Sequence, residues 1–258
     1  MAEDQIRSLY LEGLSEASIS RVLGVGRPTI HRRLVSLGLP LRTAVEASDL
    51  GRHKTFHLTP ALQSVMDGLL LGDAWVEVDA RSEGRLCLEQ AVSHEGWIEA
   101  VETFFTQEGV QCTRSTRKPR ENVLHGKVIK GKGGALLRTR KYRVFTEQRA
   151  RWYPSGLKRV PQDVDLGPLS LAHWYWGDGA TSNQGYRMVF HTDGFEESEV
   201  VFLRDRLYAL YGWTPKVSPR SGQKGFILTL GQASQRRDLV ELIKPFCPPC
   251  FSYKLSII

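Results

Sequence analysis

Two stretches decide the reading of this chain: Met66-Asp-Gly-Leu-Leu-Leu-Gly-Asp-Ala74 and Leu171-Ala-His-Trp-Tyr-Trp-Gly-Asp-Gly179. Each is an apolar, helix-forming run that ends in Gly-Asp, and the two aspartates, Asp73 and Asp178, lie 105 residues apart. A carboxylate at the C-terminal end of a helix is electrostatically misplaced, because the helix end carries about half a negative charge and opposes it by about 0.3–1 kcal/mol. One such residue is an ordinary helix terminator; two at matching positions ask for a common cause. If the helix ends meet, the carboxylates also repel each other, and a divalent cation is the natural compensation. Oxygen donors favour magnesium, which takes one or two protein carboxylates and completes its shell with water and phosphate oxygens. That is phosphodiester chemistry. Close approach of the helix ends requires small facing residues, which Gly68, Gly72 and Gly177 provide and His173 does not.

Around each motif the same order of elements recurs, so the chain from residue 58 onward reads as a duplication. In the first copy, the helix from Pro60 to Gly72 is followed by strands near Trp75 to Asp79 and Arg85 to Ala91 and a helix from Glu95 to Gln107. A strand from Val110 to Thr116, a basic loop holding Gly126, Gly131, Gly133 and Gly134, a strand from Leu136 to Thr146 and a helical turn close it. The second copy runs helix Leu169 to Gly177, strand Tyr186 to His191, helix Glu196 to Tyr211, strands Thr214 to Ser218 and Gly225 to Leu230, and helix Gln235 to Lys244. The predicted organisation is a small helical domain over residues 1–40, a linker over 41–57 and repeats over 58–157 and 158–258. Two such α/β units would pack about a pseudo-two-fold axis.

The charge is concentrated rather than spread. Of a formal net charge of +7, residues 114–159 carry 15 Lys or Arg against Glu121 and Glu147, a local net of +13, which leaves −6 for the rest. Such clustering is the electrostatic footprint of a polyanion partner, since each neutralised phosphate releases condensed counterions. With 41% hydrophobic residues, disorder and collagen-like order are excluded. No apolar run reaches the roughly 18 residues of a membrane helix. The acidic start, Met-Ala-Glu-Asp-Gln, lacks the basic and apolar regions of a signal peptide, so the expected location is the cytoplasm or an organelle, not the exterior. Cys247 and Cys250 form a CxxC without two further ligands nearby, and all four cysteines read as free thiols.

Residues 4–38 carry three short helices, with Ser15 as an N-cap, Gly24 and Gly26 in a tight turn and Pro28 in the first turn of the third. The stretch Ile19 to Leu34 resembles the helix-turn-helix of resolvase and invertase DNA-binding domains. That resemblance implies major-groove contacts from Arg27, Thr29, His31, Arg32 and Arg33. A small bundle that binds protein is the alternative.

The two motifs themselves resemble the paired signature of the LAGLIDADG homing endonucleases, whose eighth position is the metal-binding acid. Trp152-Tyr-Pro-Ser-Gly156, Val160-Pro161, Lys244-Pro245 and Tyr253-Lys254-Leu255 look like the single-chain subfamily encoded by group I introns. The resemblance implies a mixed α/β (α+β) fold of two αββαββα halves whose antiparallel sheets form a saddle on double-stranded DNA. It implies metal binding by Asp73 and Asp178 together with Gly72 and Gly177 at the helix ends, and hydrolysis of one phosphodiester per strand. Magnesium is the expected cofactor, with manganese able to substitute and calcium supporting binding without cleavage. The family places a basic residue late in each repeat. Aligning Lys141-Tyr-Arg-Val-Phe145 with Lys224-Gly-Phe-Ile-Leu228 assigns that role to Lys141 and Lys224, and Gln90 and His191 sit at corresponding strand ends. Candidate DNA contacts are Arg114, Arg117, Arg138, Arg140 and Arg143 in the first half and Lys216, Ser218 and Arg220 in the second. Ala74 replaces the usual terminal glycine of the first motif, and His173 and Trp176 are bulky for the second.

The leading expectation is thus a monomeric, magnesium-dependent endonuclease with a long asymmetric target. A non-cleaving DNA-binding regulator and a maturase acting on intron RNA stand as alternatives. No N-terminal Cys or Ser and no terminal His-Asn pair frames the chain, which speaks against an intein.

Overall fold

The computed structural model describes residues 2–11, 14–43, 58–79, 83–118, 121–124, 127–130, 133–182, 185–220, 222 and 224–257. Two compact units divide the chain, Met1–Thr55 and Phe56–Ile258.

The first unit holds helices α1 (Ala2–Leu11), α2 (Glu16–Leu23) and α3 (Arg27–Ser36) around a small core of Ile6, Tyr10, Ile19, Ile30 and Leu34. Ser15 caps α2 by accepting from the Ser18 amide at 3.2 Å, and Gly24 ends it in the left-handed region at φ 65°. A cap of this kind is worth about 1 kcal/mol, a large share of what so short a helix has. Leu39 to Thr43 belong to this unit rather than to a linker. The Tyr10 hydroxyl donates to the Pro40 carbonyl at 3.2 Å and accepts from the Arg42 amide at 2.9 Å, and the Arg42 guanidinium lies 4.0 Å from the Tyr10 ring centroid. The remainder of the expected linker, and Gly126 and Gly131 of the basic loop, lie outside the described residues.

The second unit opens with α4 (Pro60–Leu71), started by Thr59, which accepts from the Leu62 amide at 3.1 Å, with proline in the first turn. Then come β1 (Ala74–Val78), β2 (Gly84–Ala91), α5 (Glu95–Gln107), β3 (Cys112–Arg117), β4 (Glu121–Leu124), β5 (Lys127–Lys130), β6 (Gly134–Thr139) and α6 (Arg143–Trp152). The second repeat runs α7 (Pro168–Asp178), β7 (Gly179–Ser182), β8 (Arg187–His191), α8 (Glu197–Tyr211), β9 (Lys216–Pro219), β10 (Phe226–Leu230) and α9 (Ala233–Ile243), ending in short 3-10 turns. Each repeat builds one antiparallel four-stranded sheet, in the orders β1-β2-β6-β3 and β7-β8-β10-β9. The fold is α+β, and the two orders are the same.

Three elements differ from the sequence expectation. The basic loop contains the extra hairpin β4–β5. The strand expected over 136–146 stops at Thr139, and residues 143–152 are helical, because Tyr142, Phe145 and Trp152 follow helical spacing and all three are buried. The four-residue β7 had no signal of its own in Gly-Ala-Thr-Ser.

Both sheets cover one continuous core in which α4 and α7 are central. The two motif helices pack closely at Gly68, where any Cβ would collide with the Ser170 carbonyl and come within 2.9 Å of the His173 Cβ. The bulk of His173, which looked incompatible with a helix pair, is therefore received by a glycine on the partner helix. The indole N–H of Trp97 donates to its Nδ1 at 3.4 Å, and burial pushes the imidazole pKa down to about 4.

Away from the Gly-Asp ends, Asp67 of α4 is wholly buried and wholly satisfied. Arg151 grips it with two bonds of 2.5 and 3.0 Å, Gln63 donates at 2.8 Å and the Asp165 amide at 2.9 Å. The connection between repeats is thereby fastened to the first motif helix.

Candidate active site

The Gly-Asp ends of α4 and α7 meet. A Cβ on Gly177 would lie 3.3 Å from both the amide nitrogen and Oδ2 of Asp73, and one on Gly72 would lie 3.6 Å from the amide of Asp178. Asp73 and Asp178 therefore share one neighbourhood, each at the negative end of a helix dipole. Burial raises the pKa of Asp73. Burial, followed by the repulsion of Asp73, pushes Asp178 up to about 7.

Two lysines answer this accumulation of negative charge. Lys158, from the connection between repeats, donates to the carbonyls of Gly72 at 3.0 Å and Ala74 at 2.8 Å. Lys254, from the C-terminal 3-10 turn, donates to the carbonyls of Tyr175 at 3.1 Å and Trp176 at 2.8 Å. Each lysine thus satisfies backbone acceptors at the end of one motif helix and opposes the field of both acids. Burial holds both ammonium pKa values down at about 8, although the acids pull the other way.

Neither lysine is one that the alignment of late strands selects. Lys141 bonds to Asp79, beyond the end of β1 that lies away from Asp73. Five strand residues, roughly 17 Å, separate that place from the acid. Lys224 is exposed and precedes β10 at the end of its sheet that carries His191. Pairing register shows that these two are not counterparts: Leu137 and Leu228 face Leu88 and Phe190, so Gly133 holds the place of Lys224. The Gly72 carbonyl accepts from Lys158, which leaves one of its two lone pairs.

Gln90 lies beside Asp73, its amide donating to Asp73 Oδ2, with its Oε1 3.2 Å from His94 Nδ1. His191 is not its counterpart. Ala74 faces Leu88 and Gly179 faces Phe190, so His191 corresponds to Glu89, and Thr192 to Gln90. His191 lines a cavity of about 730 Å³ together with Asp178, Thr181, Tyr253 and Lys254. Among the described residues no cluster of three or more His, Cys, Asp or Glu side chains forms a metal cage. A pair of hard carboxylates outside any such cluster fits magnesium and does not fit a four-ligand structural zinc.

The candidate DNA contacts sort by sheet face. Leu86, Leu88, Ala135 and Leu137 enter the core, so period two turns Arg85, Glu89, Arg138, Ser115 and Arg117 to the opposite, open face. Arg138 brings a buried Nε with no hydrogen bond, and Arg117 lies 3.3 Å from Glu89. Arg114 has the other parity: it is held on the helix side by Glu99 at 2.6 Å and Glu102 at 2.8 Å, which withdraws it from the open face. Arg140 and Arg143 lie beyond β6, both exposed, the latter 3.2 Å from Glu147. In the second half Lys216 and Ser218 share the open face, and the neighbouring Arg220 is paired with Asp193. In the helical unit Arg27, His31 and Arg32 are exposed on α3 and Thr29 is half-buried. Arg27 and His31 lie 3.4 and 2.8 Å from Glu16, and Arg33 lies 2.7 Å from Glu3.

Comparison with known proteins agrees with this architecture. The family model of the LAGLIDADG DNA endonuclease family matches residues 63–237. An uncharacterised protein of Methanocaldococcus jannaschii is 31% identical over 96% of this chain and 93% of its own length. A cytochrome b mRNA maturase of Debaryomyces hansenii is 28% identical over 77% of this chain and 75% of its own. Among solved structures, the homing endonuclease I-WcaI bound to its DNA recognition sequence is similar with a TM-score of 0.67 at 20% identity, over 87% of this chain and 97% of that one.

Proposed function

The chain belongs to the LAGLIDADG DNA endonuclease family, and on that premise we propose that it is a site-specific endonuclease that hydrolyses one phosphodiester in each strand of duplex DNA. The observation that carries the reading is the meeting of Asp73 and Asp178 at touching helix ends, with a lysine on each. A structural role would not require two acids in a place where burial and repulsion both disfavour their charge.

Asp73 and Asp178 are the residues that would hold divalent ions, which when bound activate water and stabilise the leaving oxygen. Everything else falls to the chain. Gln90 fixes the orientation of Asp73 by donating to one of its oxygens, leaving the other lone pairs available. Lys158 and Lys254 satisfy the carbonyls of the helix ends and hold positive charge where the phosphate charge grows in the transition state. The open sheet faces, with Arg85, Arg117 and Arg138 in one half and Lys216 and Arg220 in the other, seat the duplex. The α3 helix extends the footprint on one side.

The test is a cleavage selection from a randomised duplex library with magnesium, calcium or chelator. Discrete magnesium-dependent ends at one long site, absent with chelator, are expected. Specific retention in calcium with no ends in magnesium or manganese would replace the enzyme by a DNA-binding regulator. The likeness to a fungal maturase supports a second reading, in which the same basic surface binds a folded intron RNA. Stimulated splicing in place of DNA cutting would establish it.

A further inference from the structure

We propose that His191 contacts the phosphodiester of one DNA strand at the reaction centre, and that the first repeat has no counterpart to it. The proposal deepens the endonuclease reading and rests on it for the identity of the reaction.

Three observations converge. The first is register: the position in the first repeat that matches His191 is Glu89. Glu89 is an acid already engaged with Arg117 at 3.3 Å. A carboxylate repels a phosphate, whereas an imidazole N–H donates to it. The position that matches Gln90 is Thr192, a buried residue whose hydroxyl is spent on the Phe226 carbonyl at 2.6 Å. So an amide attends Asp73 in one half, and an imidazole, one residue earlier in register, stands near Asp178 in the other.

The second is the cavity. His191 shares it with Asp178 and Lys254, and its volume of about 730 Å³ admits a nucleotide-sized group. The third is the support behind the ring. His191 Nδ1 is buried, makes no hydrogen bond and lies 3.9 Å from Asp193 Oδ1, which is likewise buried and unbonded. Arg220 fastens the other oxygen of Asp193. Gly225 packs so closely on Asp193 that a Cβ there would come within 2.5 Å of its Cα. The imidazole is thus flanked by a rigid carboxylate without being consumed by it, and Asp178, Asp193, Arg220 and Lys254 are the charges around it. A residue that served packing alone would not need an ion pair held behind it.

The test is strand-resolved phosphate-ethylation interference on the duplex recovered in calcium, comparing the full-length protein with His191→Ala and His191→Gln. We expect His191→Ala to lose interference at one phosphate of one strand while overall affinity and every other phosphate contact stay, and His191→Gln to restore most of it. In magnesium His191→Ala should slow that strand alone by about 100-fold, so that nicked circles accumulate from a supercoiled target. An unchanged interference map, or equal slowing of both strands, overturns the assignment. Should the wild type show the phosphate contact yet cut neither strand, the contact stands and the endonuclease reading falls.

Discussion

The two motif helices do the same job with different materials. In α4 the residues that approach the acid are Leu69, Leu70 and Leu71; in α7 they are Trp174, Tyr175 and Trp176, all fully or almost fully buried. The first helix carries a buried, fully bonded Asp67 where the second has Ala172, and a glycine where the second has a histidine. What both retain is the Gly-Asp terminus, a strand starting next to the acid, and a lysine folded back on the last carbonyls. Under the proposed function, features common to both halves mark the chemistry, and those that differ mark the packing of one half or its share of the target.

That division breaks first at the acids. Asp73→Asn or Asp178→Asn should each lower double-strand cleavage by about 10²–10³-fold while leaving calcium-supported binding intact. If either variant instead loses binding, the shared acids are structural and the comparison fails at its strongest point. Next comes Asp67, which only one half possesses. Asp67→Ala should destabilise the fold by about 3–5 kcal/mol, because it leaves the Arg151 guanidinium half-buried without its main partner. Urea unfolding measures this, and a change below about 1 kcal/mol would show that the pair is relieved by water.

The lysines allow a test by pH in the absence of metal. Folded Asp178 holds its proton up to about pH 7 against an ordinary value of 3.8, so stability should fall as pH climbs between those values. Lys158 and Lys254 release theirs near 8 rather than 10.5, so stability should recover between about 8 and 10.5. Thermal melts in chelator should trace a minimum between pH 7 and 8, and magnesium should raise the melting temperature most at that minimum. A flat profile would mean that the acids and lysines are better solvated than their burial implies. The smallest expected effect concerns the helical unit. Removing residues 1–43 should weaken binding by on the order of tenfold and shorten the footprint at one end only. An unaltered footprint would confine that unit to packing or to a protein partner.

Much of this was legible in the sequence where a feature is local and periodic. The Gly-Asp pair, its 105-residue spacing and the caps at Ser15 and Thr59 are carried by neighbouring residues. What escaped is what depends on long reach or on register. Lys158 and Lys254 find their carbonyls across 84 and 78 residues of chain, and although Lys254 sits in a stretch with the family likeness, neither position reveals which carbonyls it reaches. The one available signal was a solitary charge within the apolar Phe251–Leu255 turn. The offset between Gln90 and His191 is one residue, which a strand-end comparison cannot resolve, and one residue is enough to exchange the two faces of a sheet. Arg114 misled for the same reason: charge alone does not tell which side of β3 it leaves, and the acidic flank of α5 claimed it.

The seat that Gly68 makes for His173 has a consequence for ancestry. Two copies of the first repeat would set glycine against glycine and leave a hole between the helices, and two copies of the second would drive one imidazole into another. A seam of this kind favours two fused halves over a symmetric assembly of single repeats, and under the proposed function it lets each half suit its own stretch of DNA.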